Sequence, residues 1–184
     1  MKVQRHPGFR ERIACVICTS AAVLVSVGHA DDWSLKPEVK DTPYQFGKAR
    51  VVLHYDSMKN RAYPEYTLKI YQGEELLGEH KAVGFEQVFA DAENRYFLGV
   101  SNKGLTRTAW VVFDRAGRII KAQAHGAGTK YCQMSVSLVR TWYDEKKPEP
   151  QFKVEGGKLK EVSLRSCEGK RIALPLAEEG KQAP

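Results

Sequence analysis

Val88-Phe89-Ala90-Asp91-Ala92-Glu93-Asn94-Arg95-Tyr96-Phe97-Leu98, with Ala109-Trp110-Val111-Val112-Phe113-Asp114-Arg115-Ala116-Gly117-Arg118-Ile119-Ile120 a short interval later, carries the architecture of this chain. The region holds four runs rich in aromatic and β-branched residues, at 86–90, 95–101, 109–114 and 118–124, each long enough for a strand and too short for a helix. Asp91-Ala92-Glu93-Asn94 and Arg115-Ala116-Gly117 reverse the chain in a few residues. Asp and Asn bond back to nearby backbone, and Gly accepts positive φ. A four-stranded antiparallel meander follows. Its central connection, 102–108, is longer and polar, with Leu105 its one large apolar residue.

The same grammar extends both ways. Upstream, Val51, Leu53 and Tyr55 alternate with Arg50, Val52 and His54, and Tyr66, Leu68 and Ile70 alternate with Thr67, Lys69 and Tyr71, a period of two that places successive side chains on opposite faces of a strand. Gly73-Glu74-Glu75 turns the second run into a third at 76–83. Downstream, strands are expected at 134–143, 151–155, 158–164 and 171–174, with a hairpin at Gly156-Gly157. No apolar period of 3.6 persists over three turns. The expected fold is therefore all-β, made of open antiparallel meander sheets arranged half-propeller-like or as a sandwich. It forms a single domain over 48–176, between an extended lead-in at 31–47, broken by Pro37 and Pro43, and a flexible tail at 177–184.

Residues 1–30 read as a signal peptide: Lys2, Arg5, Arg10 and Arg12 precede an apolar run from Ile13 to Val27, which closes on Gly28-His29-Ala30. The run is short for a membrane span and ends at Asp31-Asp32. A periplasmic or secreted protein is expected, without stable membrane association once the segment is cleaved; retention as an anchor is the alternative. Cys15 and Cys18 open the apolar run, whereas a lipid-modified cysteine would close it. Four of the 29 Lys/Arg and one of the 22 Asp/Glu lie in this segment, so the net charge falls from +7 to +4 beyond it. That charge is spread along the chain, which suits a solvated surface and argues against nucleic acid as partner. Only Cys132 and Cys167 remain, and in an oxidising compartment they are expected to pair. The loop between them would contribute about 3–4 kcal/mol by constraining the unfolded chain.

Motifs for chemistry are sparse. His54, His80 and His125 lack metal-site spacing to one another or to cysteine, so neither metal nor other cofactor is expected. Gly99-Val100-Ser101-Asn102 is not a nucleophile elbow, and no glycine-rich loop precedes a helix. His125-Gly126-Ala127-Gly128-Thr129-Lys130-Tyr131-Cys132 alone joins a histidine, a glycine-rich turn and a cysteine. A thiol hydrolase would need Cys132 as thiolate and His125 as base, and pairing with Cys167 removes the thiolate. No catalytic residue is assigned.

The stretch from Val88 to Ile120 resembles the four-stranded blade of a β-propeller, in which an acidic turn precedes an aromatic strand and a Val-Phe-Asp-x-x-Gly turn ends the third strand. With the cysteine-containing final third, the layout also resembles the periplasmic immunity proteins that protect bacteria from peptidoglycan-amidase effectors of type VI secretion. The resemblance implies a non-enzymatic, protein-binding inhibitor that inserts a polar loop into its partner's active site, the partner being a peptidoglycan amidase or a lysozyme. The corresponding loop here supplies Ser101, Asn102, Lys103, Thr106, Arg107 and Thr108. Lys103 and Arg107 depart from a Ser/Gly-rich inhibitory loop. Arg61 and Tyr63, in the mixed loop 56–65, form a second candidate contact. The alternatives are a structural adaptor assembling through open sheet edges and, last, a small cysteine hydrolase.

Overall fold

The computed structural model describes residues 37–60, 64–126, 128–135 and 139–176. The segment 1–30, expected to be a signal peptide, and the tail expected at 177–184 lie outside the described residues. What is described belongs to one compact unit and is all-β, with a single 3-10 turn at Gly104–Thr106 and no α-helix. The first sheet is a meander of β1 (Val39–Phe46), β2 (Ala49–Asp56), β3 (Glu65–Gln72) and β4 (Glu75–Lys81); the second runs through β5 (Gln87–Ala90), β6 (Tyr96–Val100), β7 (Thr108–Asp114) and β8 (Ile119–Ala124). A two-stranded hairpin, β9 (Gln133–Met134) with β10 (Arg140–Thr141), precedes a third sheet of β11 (Gln151–Glu155), β12 (Lys158–Arg165) and β13 (Arg171–Leu174). All pairings are antiparallel and no sheet closes into a barrel.

The second sheet lies between the other two, and its sequence explains why. Every residue of β7 is buried. Alternate side chains serve opposite faces: Trp110 and Val112 join Leu98, Val162, Leu164 and Leu174 in one core, whereas Val111 and Phe113 join Phe97, Leu53, Leu68 and Ile70 in the other. A strand buried on both faces requires an unbroken apolar run, and Ala109-Trp110-Val111-Val112-Phe113 supplies it. An open stack of three sheets results, rather than a two-sheet sandwich. Its acidic turns work as the sequence implies. Asp91 accepts the N–H groups of Arg95 and Tyr96 on its carboxylate, Asp114 accepts that of Arg118, and Asn94 and Gly117 take up the positive φ angles of 53° and 83° that end the two turns.

Contact between the first two sheets is close at Gly78 of β4, where a Cβ would lie 2.4 Å from the Gly117 carbonyl oxygen. His80 Nε2 donates to that same oxygen at 2.6 Å.

Two stretches differ from the sequence reading. Within the lead-in, Val39 to Phe46 is strand β1, in register with β2 from Val39↔Asp56 to Phe46↔Ala49. As an edge strand it exposes five of its eight residues and tolerates Pro43, while Tyr44 and Phe46 pack against the core. The expected strand at 134–143 is interrupted: β9 and β10 pair with each other, Arg140 opposite Met134, so the chain reverses within it.

Candidate functional site around segment 101–108

The polar connection between β6 and β7 is the centre of the candidate site, and four of its polar residues, Ser101, Asn102, Thr106 and Thr108, are buried. Glu86, just before β5, organises it: the carboxylate accepts the Ser101 hydroxyl at 3.1 Å and the Asn102 N–H at 3.0 Å, and pairs with the Lys103 ammonium at 2.6 Å. Asn102 then ties the second sheet to the chain entering the third. Its Oδ1 accepts the Trp142 N–H at 3.0 Å, its Nδ2 donates to the Tyr143 carbonyl at 3.3 Å, and its own carbonyl accepts the Arg140 N–H at 2.7 Å. The Trp142 indole N–H donates to the Ser101 carbonyl at 2.8 Å. Thr106 Oγ1 lies 2.8 Å from the Lys103 carbonyl and 2.9 Å from that of Thr108, sharing its proton between them. Arg107 closes the 3-10 turn in the left-handed region at φ 60°, and its carbonyl accepts the His125 N–H.

Of the residues expected to meet a partner, Ser101, Asn102, Thr106 and Thr108 are buried, while Lys103 and Arg107 are exposed. Asn102 and the Ser101 carbonyl brace the sheet stack, while the Ser101 and Thr106 hydroxyls hold the segment itself and its tie to Glu86. A loop whose hydroxyls and amide satisfy buried backbone cannot present them to a cleft without leaving that backbone unpaired. Arg61 and Tyr63 lie outside the described residues.

The hairpin β9–β10 lies against this segment through a bridge between Lys103 and Val139. Two large apolar side chains stand in solvent on it: Met134, 68% exposed, and Val139, 40% exposed. The sequence reading, a single strand over 134–143, did not single out either residue. The hairpin's base is fixed. Cys132 donates its N–H to the Thr141 carbonyl, and Cys132 is joined to Cys167 across 6.1 Å between Cα atoms. That bond holds the sulfur a thiol hydrolase would use.

His125 sits behind the 3-10 turn, with Nδ1 3.3 Å from the Tyr131 hydroxyl. Burial pushes its imidazole down to about 4, and the Arg140 guanidinium adds to this against the Lys103 carbonyl and the Glu86 carboxylate. Burial likewise raises Tyr143, assisted by the charges of Glu86 and Glu145, and lifts Tyr66 to about 12. These groups are neutral near pH 7. Among the described residues no three His, Cys, Asp or Glu side chains gather as metal ligands, and no helix is long and apolar enough to cross a membrane.

No protein-family model, curated protein or solved structure matches this chain. The fold itself defines the class: an open stack of antiparallel sheets, pinned by a buried polar brace and one disulfide, with a short hairpin that exposes Met134 and Val139.

Proposed function

We propose that the protein is an exported inhibitor that captures a peptidoglycan-degrading enzyme, with hairpin β9–β10 and the neighbouring cations as its contact surface. The observation that carries this reading is the exposure of Met134 and Val139, one on each face of a hairpin bridged to the exposed Lys103. Met and Arg are enriched at protein interfaces, and large apolar side chains left in solvent beside a cation are the surface feature a partner buries. The brace favours this use. Because Asn102, the disulfide and the Glu86 carboxylate hold the hairpin's base, little ordering entropy is lost on association. Lys103 and Arg107 would steer the surface toward an acidic rim. Contact is thus made by the hairpin and the two cations, while the polar core of segment 101–108 stays folded beneath. The disulfide is compatible with residence in an oxidising compartment such as the periplasm.

The test is digestion of purified peptidoglycan sacculi by a panel of amidases and muramidases, with and without the protein. One enzyme class is expected to be inhibited at near one-to-one stoichiometry, and its identity separates an amidase target from a lysozyme. Undiminished digestion by every enzyme at roughly tenfold molar excess of the protein would refute the proposal.

A further inference from the structure

In the first two sheets the third strand is covered by a fourth, β3 by β4 and β7 by β8, whereas among the described residues the third sheet ends at β13. The register of β13 shows what its open edge offers. Ser166 donates its N–H to the Lys170 carbonyl at 2.7 Å, and the pairs then run Arg165↔Arg171, Leu164↔Ile172, Ser163↔Ala173 and Val162↔Leu174. Bonded and non-bonded pairs alternate in an antiparallel ladder. Ile172 and Leu174 therefore bond to β12, while Arg171 and Ala173 turn their N–H and C=O groups away from it.

Along this edge runs a cleft of about 600 Å³. It is lined by Ile172, Ala173, Leu174 and Pro175, four consecutive residues. A groove on one face of a strand meets only every second side chain, so a groove that meets all four follows the strand's edge. Deeper in the cleft lie the buried Trp110 and Trp142; the exposed Lys130 borders it, as do Lys170 and Glu168, whose ammonium and carboxylate pair at 3.3 Å.

We infer that this cleft receives an extended peptide of alternating apolar and acidic residues, which pairs with Arg171 and Ala173 and completes the third sheet as its fourth strand. Backbone bonds to the edge supply affinity, apolar side chains cover the tryptophans, and carboxylates meet Lys130 and compete with Glu168 for Lys170. This surface is separate from Met134 and Val139, so the inference stands or falls apart from the proposed inhibition.

The probe is a fluorescein-labelled Thr-Val-Glu-Val-Glu-Val-Thr amide, titrated with the purified protein and read by anisotropy. Saturable binding is expected, at least roughly tenfold weaker for a peptide with Lys in place of Glu and for one N-methylated at alternate amides. Ala173→Pro removes only the outward N–H and leaves the β12 ladder intact, so it should weaken binding by a similar factor. If that variant does not fold, as judged by circular dichroism, the N-methylated peptide makes the same test from the ligand side. Binding that survives N-methylation or a folded Ala173→Pro, binding equally tight for the lysine peptide, or no saturation below about 1 mM overturns the inference.

Discussion

Replacing Asn102 with alanine should unfold the protein more easily rather than merely blunt an interaction. The side chain satisfies two buried backbone groups, the Trp142 N–H and the Tyr143 carbonyl, in residues that are 2% and 0% exposed. Alanine fills neither role and leaves too little space gained for water to serve both. A stranded buried polar group costs about 1–3 kcal/mol. The carbonyl, with two lone pairs, sits at the low end, which gives a loss of about 2–4 kcal/mol for the pair. For a domain of this size that corresponds to a fall in Tm of about 5–12 °C. Urea unfolding followed by tryptophan fluorescence is the assay, with the slope unchanged if the variant still unfolds in one step. Lys103→Ala is the control: its ion pair with Glu86 involves a side chain 65% exposed, so the expected change is at most about 1 kcal/mol. If Asn102→Ala lost less than about 1 kcal/mol while partner capture disappeared, the brace would be incidental and the inserted-loop mechanism would regain its place.

Gly78→Ala should cost at least about 1–3 kcal/mol in urea unfolding, because the added carbon would meet Gly117 backbone at 2.4 Å and force the first two sheets apart. Replacing both Cys132 and Cys167 with serine should lower stability by about 3–4 kcal/mol, measured the same way, by releasing the loop they close. His125 gives a pH dependence. Its folded value of about 4 lies below the ordinary 6.5, so the unfolded chain binds a proton that the folded one refuses between those values; the contribution is full above pH 6.5 and is lost as pH falls through about 4, a slope that His125→Phe should flatten in unfolding measured across that window.

The sheets were legible wherever one local signal sufficed. Ala109 to Phe113 could serve only a strand covered on both sides, and Asp91 and Asp114 mark turns through bonds made within four or five residues. Strand β1 was hidden because an edge strand with one solvated face has the composition of a linker, with Pro43 in its middle. The role of Ser101 to Thr108 was hidden for another reason. Hydroxyls and an amide suit a solvated loop and a buried brace equally, and the partners that decide, Trp142 and Tyr143, lie 40 and 41 residues beyond Asn102. Glu86 gave no signal at all, since nothing near it in the chain shows that a carboxylate there will gather Ser101, Asn102 and Lys103. The single strand expected over 134–143 missed the reversal between β9 and β10, and with it the exposure of Met134 and Val139.

Whether the β9–β10 surface holds the partner comes down to a single titration. The peptidoglycan hydrolase found to be inhibited is assayed on sacculi against increasing wild-type protein and against the double variant Met134→Glu/Val139→Glu. Met134 and Val139 lie on opposite faces of the hairpin, so the loss is that of the one the partner covers, and an anchor worth about 2 kcal/mol should raise the concentration needed for half-inhibition by about thirtyfold. The urea midpoint should stay unchanged, because both side chains stand in solvent. Inhibition by the folded double variant at wild-type concentrations would contradict the proposed contact surface.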